Sequence, residues 1–250
     1  MYTLKKSLGQ HFLKDENICR RIVEALPVAA GDQVLEVGPG AGAITKYLLE
    51  LPGITFRAVE LDTEKVRYLE QTYPAIKGKL VNESFLDMQP PYEGAFAVIG
   101  NFPYNISTQI MFRILDWKAQ VPVVVGMFQK EVALRIAAKH GNKDYGILSV
   151  FLQRFYDVEY LFEVHEDSFN PPPRVKSAVI RLTRLASPLP VKSEKKFTLL
   201  VKTAFGQRRK QLRNPLKGFF DKAFLQEPIF TKRAEELTVA DFVALTEHML

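Results

Sequence analysis

Cysteine is almost absent: Cys19 stands alone among 250 residues, which rules out an internal disulfide and any chemistry that needs paired thiols. Histidine is scarce as well. His11, His140, His165 and His248 are scattered with no spacing suited to a metal centre, so no metal is expected. Long hydrophobic runs are missing, and the longest, Val121 to Phe128, falls far short of the roughly 20 apolar residues that span a bilayer. The opening Met1-Tyr2-Thr3-Leu4-Lys5-Lys6 carries no apolar leader core. A soluble, cytoplasmic protein without membrane contact is the expectation. The pattern Gly-x-x-x-x-Gly-Lys-Ser/Thr is missing too, which leaves P-loop nucleotide hydrolysis without support. With no repeat, heptad array or low-complexity tract, solenoid and fibrous architectures fall away.

What is present is an ordinary globular composition, 47% hydrophobic and 25% charged, in a length that suits one large domain with a small appendage. The formal net charge is +6, and it is concentrated. Between residues 202 and 222, Lys202, Arg208, Arg209, Lys210, Arg213, Lys217 and Lys222 stand against Asp221 alone, so this stretch holds the whole excess. A basic block on a neutral body is the footprint of phosphate binding, although a solvated helix face would read the same way.

Strand-like runs at 33–37, 55–60, 79–84, 95–100 and 121–128 alternate with amphipathic helical stretches at 43–50, 63–72, 108–116 and 130–139. Such alternation predicts parallel βαβ units and an α/β fold. Two further β-rich runs, 146–164 and 177–185, flank the loop Asn170-Pro171-Pro172-Pro173-Arg174 and predict an antiparallel addition to the sheet. The prolines of Ala186-Ser187-Pro188-Leu189-Pro190 mark a boundary, giving domains 1–186 and 187–250, the second small and all-helical.

Strand Val34-Leu35-Glu36-Val37 runs into Gly38-Pro39-Gly40-Ala41-Gly42 ahead of a helix, a turn of the kind that lets backbone approach a nucleotide. Alone it serves equally as a tight connection that binds nothing. Glu60 closes the second strand, 22 residues after Gly38, where an acid can bond ribose hydroxyls. Asp87 follows the third strand, where a carboxylate can accept from an adenine amino group. Either acid by itself reads as well as a surface cap or ion-pair partner. The Glu-x-Gly-x-Gly-x-Gly spacing, in place of Gly-x-Gly-x-x-Gly, favours S-adenosylmethionine over NAD.

The fourth strand delivers Asn101-Phe102-Pro103-Tyr104 at its carboxyl end, where open α/β sheets bind ligands. An amide, a rigid proline and an aromatic side by side suit an extruded base, stacked on the ring with its amino group held by acceptors. An adenine amino nitrogen becomes nucleophilic only as it moves toward tetrahedral geometry. The Asn101 side-chain oxygen and the Pro103 carbonyl could each accept one amino hydrogen and favour that change, with no strong base required. In isolation the tetrapeptide is also a plain strand-end turn with Tyr104 covering core. Its place on the fourth strand, after a glycine turn and two acids, points to the chemistry.

Along nearly its whole length the chain resembles the ribosomal RNA adenine dimethyltransferase family, the KsgA-like enzymes of small-subunit (16S) RNA. The match lies in Lys5–Leu13, Leu35–Gly42, Asn101–Ser107, Phe169–Ser177 and Phe205–Asn214. The resemblance implies a Rossmann-like S-adenosylmethionine-dependent methyltransferase with cofactor contacts at His11, Leu13, Gly38, Gly40, Glu60, Asp87 and Asn101. It implies a flexible segment 1–16 contributing to that site, and catalysis at Asn101, Pro103 and Tyr104. Phe169, which by itself reads as core, becomes a second aromatic flanking the target base. Arg208, Arg209, Lys210 and Arg213, on a helix-turn-helix-like tail, would bind the RNA.

The substrate implied is a pair of adjacent adenines in the 3′-terminal hairpin loop of small-subunit ribosomal RNA. Each would be dimethylated at N6 in an immature small subunit, by a monomer, as part of ribosome biogenesis. Many relatives carry Asn where His11 stands and Leu where Phe102 stands. His11 would add pH dependence to cofactor binding, and Phe102 would repack the turn. Three alternatives stay open: a large-subunit RNA methyltransferase of the antibiotic-resistance type, which shares the Asn-x-Pro-Tyr turn, a mainly non-catalytic assembly factor, and a DNA adenine methyltransferase.

Overall fold

The computed structural model of the chain describes residues 11–250. Two compact units emerge, one running up to Ala133 and including Val158–Arg184, the other made of Leu134–Asp157 and Leu185–Leu250. In chain order the elements are β1 (Phe12–Leu13), α1 (Glu16–Glu24), β2 (Gln33–Val37), α2 (Thr45–Glu50), β3 (Thr55–Val59), α3 (Thr63–Thr72), β4 (Leu80–Val81) and β5 (Ala97–Asn101). They continue with α4 (Ser107–Asp116), β6 (Val123–Gln129), α5 (Lys130–Ala137), α6 (Ile147–Gln153), β7 (Tyr156–Val164), β8 (Phe169–Asn170), β9 (Ser177–Arg184), α7 (Glu194–Gly206) and α8 (Val239–Glu247). Among the described residues no helix is long and apolar enough to cross a membrane.

The first unit is built on a seven-stranded sheet in the order β4-β3-β2-β5-β6-β9-β7. Strands β2 to β6 pair in parallel, and β9 runs antiparallel to β6 from Val123↔Thr183 to Gln129↔Ser177. This is the expected α/β sheet with an antiparallel addition. The central strands read as continuous apolar runs because both faces are covered: Val34, Leu35, Val98, Ile99, Val124 and Val125 are all buried. Helix starts follow local chemistry. Asp15 caps α1 by accepting from Asn17 and Ile18, and Asp62 caps α3 by accepting from Glu64.

Two expectations need correction. The run 146–164 is β-rich in composition, yet its first half forms α6. Gly146 breaks the chain there, its N–H donates to Ser149 Oγ at 2.9 Å, and Phe151 packs on Phe197 of α7 at 6.0 Å between ring centroids. Packing on α7 outweighs the β propensity of Ile147, Val150 and Phe151. The run 79–84 shortens to Leu80–Val81, because Asn82 turns its side-chain amide onto the carbonyls of Glu60 and Leu61. Of the segment 1–16, residues 1–10 lie outside the described residues. Within the remainder, Phe12–Leu13 pair with Phe169–Asn170, and Lys14 N–H donates to Ser168 at 2.8 Å.

The second unit holds α6, α7 and α8 with short 3-10 segments. Arg154, buried between α6 and α7, forms a two-pronged pair with Glu194 at 2.6 and 2.8 Å and lies over the Phe197 ring. Residues 134–157 share this unit because those α6–α7 contacts tie them to the C-terminal stretch.

In the first unit Phe102 is fully buried and meets Phe128 edge to face at 5.1 Å. Its ring fits because Gly100 and Gly126 carry no Cβ. One built at Gly126 would lie 2.5 Å from Phe102 Cε2. Gly126→Ala is expected to destabilise the protein by about 1–3 kcal/mol through overpacking. Phe102→Leu in the same chain should recover part of that loss in thermal unfolding.

Candidate active site

A cavity of about 600 Å3 opens at the carboxyl ends of the parallel strands. Its wall brings together His11, Leu13, Gly38, Gly40, Glu60, Asn101, Pro103 and Tyr104. The glycine turn makes this possible. Gly38, Gly40 and Gly42 all take positive φ (69°, 59° and 88°), so the chain leaves β2 in a tight curl that keeps backbone at the wall. A Cβ at Gly38 would already be 3.5 Å from Pro103 Cδ, so the turn after β2 and the turn after β5 touch.

Glu60 sits at the end of β3 and is mostly buried. Its Oε1 accepts from the Asp62 N–H at 3.0 Å, and Oε2 lies 3.6 Å from Lys65 Nζ. A fixed, ionic acceptor at a strand end is what two vicinal hydroxyls of a ribose need. Apolar contributions come from Val59, Ile44 and Phe85, and Leu61 is widely exposed beside them. Size, a backbone-lined floor, one held carboxylate and an apolar flank together fit a nucleoside-type cofactor.

Asn101 ends β5, and among the described residues its side-chain amide has no hydrogen-bond partner. Tyr104 is fixed at several points: its carbonyl accepts from Ser107 Oγ at 3.2 Å, its hydroxyl meets Ser177 Oγ at 2.5 Å, and its ring stacks on His11 at 6.0 Å. Burial pushes the Tyr104 phenol above its usual range, with the Ser177 bond acting the other way. His11 Nδ1 in turn lies 2.8 Å from the Pro171 carbonyl oxygen.

Two expected residues are not part of the cavity wall. Asp87 is exposed in the turn after β4, where Ser84 and Phe85 reach the cavity instead. Phe169 is fully buried in the apolar core and paired to Leu13, as its residue type alone would predict. The basic stretch belongs to the second unit. Residues 207–213 lie in turns after α7, not on a helix, because backbone bonds from Leu212 to Lys232 and from Arg213 to Phe230 hold them. Arg209 and Lys210 are exposed, whereas Arg208 donates to Glu235 at 2.5 Å and to the Lys143 carbonyl.

One residue that sequence reasoning passed over is Glu36. It was visible only as the first letter of the glycine motif, yet its side chain is buried, lines the cavity and accepts from Thr45 Oγ1 at 2.7 Å. Burial pushes its carboxyl up to about 8. The Thr45 bond opposes that rise, and the charge of Glu60 adds to it.

The sequence matches the model of the ribosomal RNA adenine dimethylase family over residues 1–249. A protein of Flavobacterium johnsoniae named ribosomal RNA small subunit methyltransferase A is 53% identical over 247 residues, covering 97% of this chain and 94% of its own. A protein of the same name from Parabacteroides distasonis is 52% identical over 246 residues, covering 97% and 92%. Among solved structures, a dimethyladenosine transferase from Plasmodium falciparum superposes with a TM-score of 0.80 over 96% of this chain and 99% of its own, at 23% identity, a likeness of fold. The 23S rRNA methyltransferase ErmE superposes with a TM-score of 0.74 over 95% and 99%, at 25% identity.

Glu36 makes stability depend on pH in a defined direction. Its folded pKa lies above the ordinary 4.5, so its contribution is fully present below about 4.5 and is lost as pH rises through about 8. Within that window it steepens the fall in stability by up to about 1.4 kcal/mol per pH unit. Glu36→Gln keeps an acceptor for Thr45 and does not titrate. The variant should therefore lose less stability than the parent between about pH 5 and 8, measured by denaturant unfolding of the cofactor-free protein.

Proposed function

This chain is a member of the ribosomal RNA adenine dimethylase family, and from that premise we propose that it dimethylates two adjacent adenines in the 3′-terminal hairpin loop of small-subunit ribosomal RNA. It is an S-adenosylmethionine-dependent adenine dimethyltransferase of ribosomal RNA. The observation that carries methyl transfer to an adenine amino group is the contact between the Gly38 turn and the Asn101–Tyr104 turn on one cavity, and the small-subunit target is supported by the relatives named for that subunit at 53% and 52% identity. When bound, S-adenosylmethionine supplies an electrophilic methyl group. The chain's own residues do the rest. The glycine turn offers backbone to the cofactor, Glu60 takes the ribose, and His11 and Leu13 border the same cavity.

Asn101 Oδ1 and the Pro103 carbonyl accept the two amino hydrogens of the target adenine, which favours the tetrahedral nitrogen and stabilises the positive charge it gains. Tyr104 offers a ring face for the base. For Asp87 at the adenine of the cofactor and Phe169 at the target base, the support is the family resemblance alone. Residues 1–186 are assigned the catalysis and residues 187–250 the RNA. Arg209 and Lys210 bind phosphates directly, with Arg213 beside them, and Arg208 stabilises the turn that carries them. The enzyme acts in the cytoplasm as a monomer on an immature small subunit, in the course of subunit biogenesis. A large-subunit target has the likeness to ErmE in its favour, at about half the identity shown by the relatives named for the small subunit.

Labelled methyl transfer to purified small subunits lacking these modifications, followed by mass mapping, should yield dimethyladenosine near the 3′ end. Transfer to large-subunit RNA alone would move the protein to the other reading. Asn101→Ala should lower the transfer rate by about 100- to 1,000-fold while cofactor affinity falls only a few-fold, because its bond strengthens in the transition state. Equal losses in both would remove that role.

Exchanging Arg209 and Lys210 for Glu should weaken RNA binding and flatten its dependence on salt by about one unit of log–log slope for each lost phosphate contact. Arg208→Glu should instead lower thermal stability, since it breaks the pair with Glu235.

A further inference from the structure

Ser177 is the first residue of β9, fully buried and opposite Gln129 at the end of β6. A strand position covered on all sides would ordinarily hold an apolar residue, since a buried hydroxyl is unfavourable unless it is bonded. Its partner among the described residues is the phenol of Tyr104, 73 positions earlier and 2.5 Å away. The bond reaches past β6, which lies between β5 and β9 in the sheet. Tyr104 is thereby held at its far end, while Ser107 holds its carbonyl and the His11 ring lies against its face. Without the phenol anchor the ring could turn about its own side-chain bonds, and its face would no longer be set relative to Asn101.

From this geometry we propose that Ser177 is a positioning residue for methyl transfer, its buried hydroxyl fixing the plane of Tyr104 so that the target base stacks in reach of Asn101 and Pro103. The inference rests on the reading of Tyr104 given above. Ser177 touches neither reacting group, so its effect is on alignment, and alignment acts on the rate of the bound complex more than on its formation.

The test is single-turnover methyl transfer by the full chain to unmodified small subunits, with Ser177→Ala, Ser177→Thr, Tyr104→Phe and the double variant S177A/Y104F. Ser177→Ala and Tyr104→Phe should each slow transfer about tenfold, and the double variant should be no slower than either alone, because both remove one bond. Ser177→Thr retains the hydroxyl and should recover the rate to within about threefold of the parent. KM for the RNA and cofactor affinity should stay close to parental values, Tm should fall by no more than the few degrees that one unbonded buried hydroxyl costs, and the rate loss should persist well below Tm, which a merely structural role would not allow. Multiplying losses in the double variant, a rate loss that follows Tm or cofactor affinity, or an Ala variant within about twofold of the parent would each overturn the positioning role. A parent chain inert toward these subunits would overturn the functional reading itself, a result distinct from the other three.

Discussion

The reversal of strand order between β2 and β5 governs what is built at the carboxyl edge of the sheet. From β2 the chain steps outward to β3 and β4, and from β5 it steps the other way to β6, so the loops after β2 and β5 part and leave a crevice. At Gly100 a Cβ would lie 2.6 Å from the Val37 carbonyl oxygen, so β5 comes this near to β2 only because that position is glycine. Every group around the cavity hangs on that arrangement: the glycine turn after β2, Glu60 after β3, Ser84 and Phe85 after β4, and Asn101 to Tyr104 after β5.

Several polar side chains are buried in the interior beside this crevice. Glu36, Thr45, Glu60, Ser107 and Ser177 are buried in the first unit, and each has a bonding partner: Glu36 with Thr45, Glu60 with the Asp62 N–H, Ser107 and Ser177 with Tyr104. Leaving one such group unpaired costs about 1–3 kcal/mol, so each pair fixes the local geometry of the elements it joins. Glu36 is the exception in sign, since its ionised form is the one that burial opposes. This group lies on the wall of the cavity proposed for the cofactor, and functional sites are where local rules of stability are most often broken.

In the second unit polar groups do structural work. Arg154 joins α6 to α7 through Glu194, and Arg208 joins the turn after α7 to Glu235 and to Lys143. Arg209 and Lys210 remain exposed, on a backbone frame held by residues 230–232. The division bears on the proposed phosphate contacts, because a cation held in an internal pair is not available to neutralise a phosphate.

Much of this was written locally. The alternating periods, the strand-turn-helix at Gly38 and the Asn101–Tyr104 turn are features of neighbouring residues, and they sufficed for the α/β sheet, its antiparallel addition and the cofactor class. Where local preference and packing disagreed, packing prevailed: residues 147–153 read as a strand and form α6 because Phe151 and Arg154 dock on α7. The sequence by itself determined where the two turns at Gly38 and Asn101 fall, since glycine, proline and asparagine act through their own backbone and side chain. Only the tertiary structure decided which groups meet there, the burial of Glu36, the retreat of Phe169 into the core, the absence of Asp87 from the wall and the anchoring of Tyr104 by Ser177. Those depend on strand order and depth, which join residues far apart in the chain, and no short stretch of sequence encodes either.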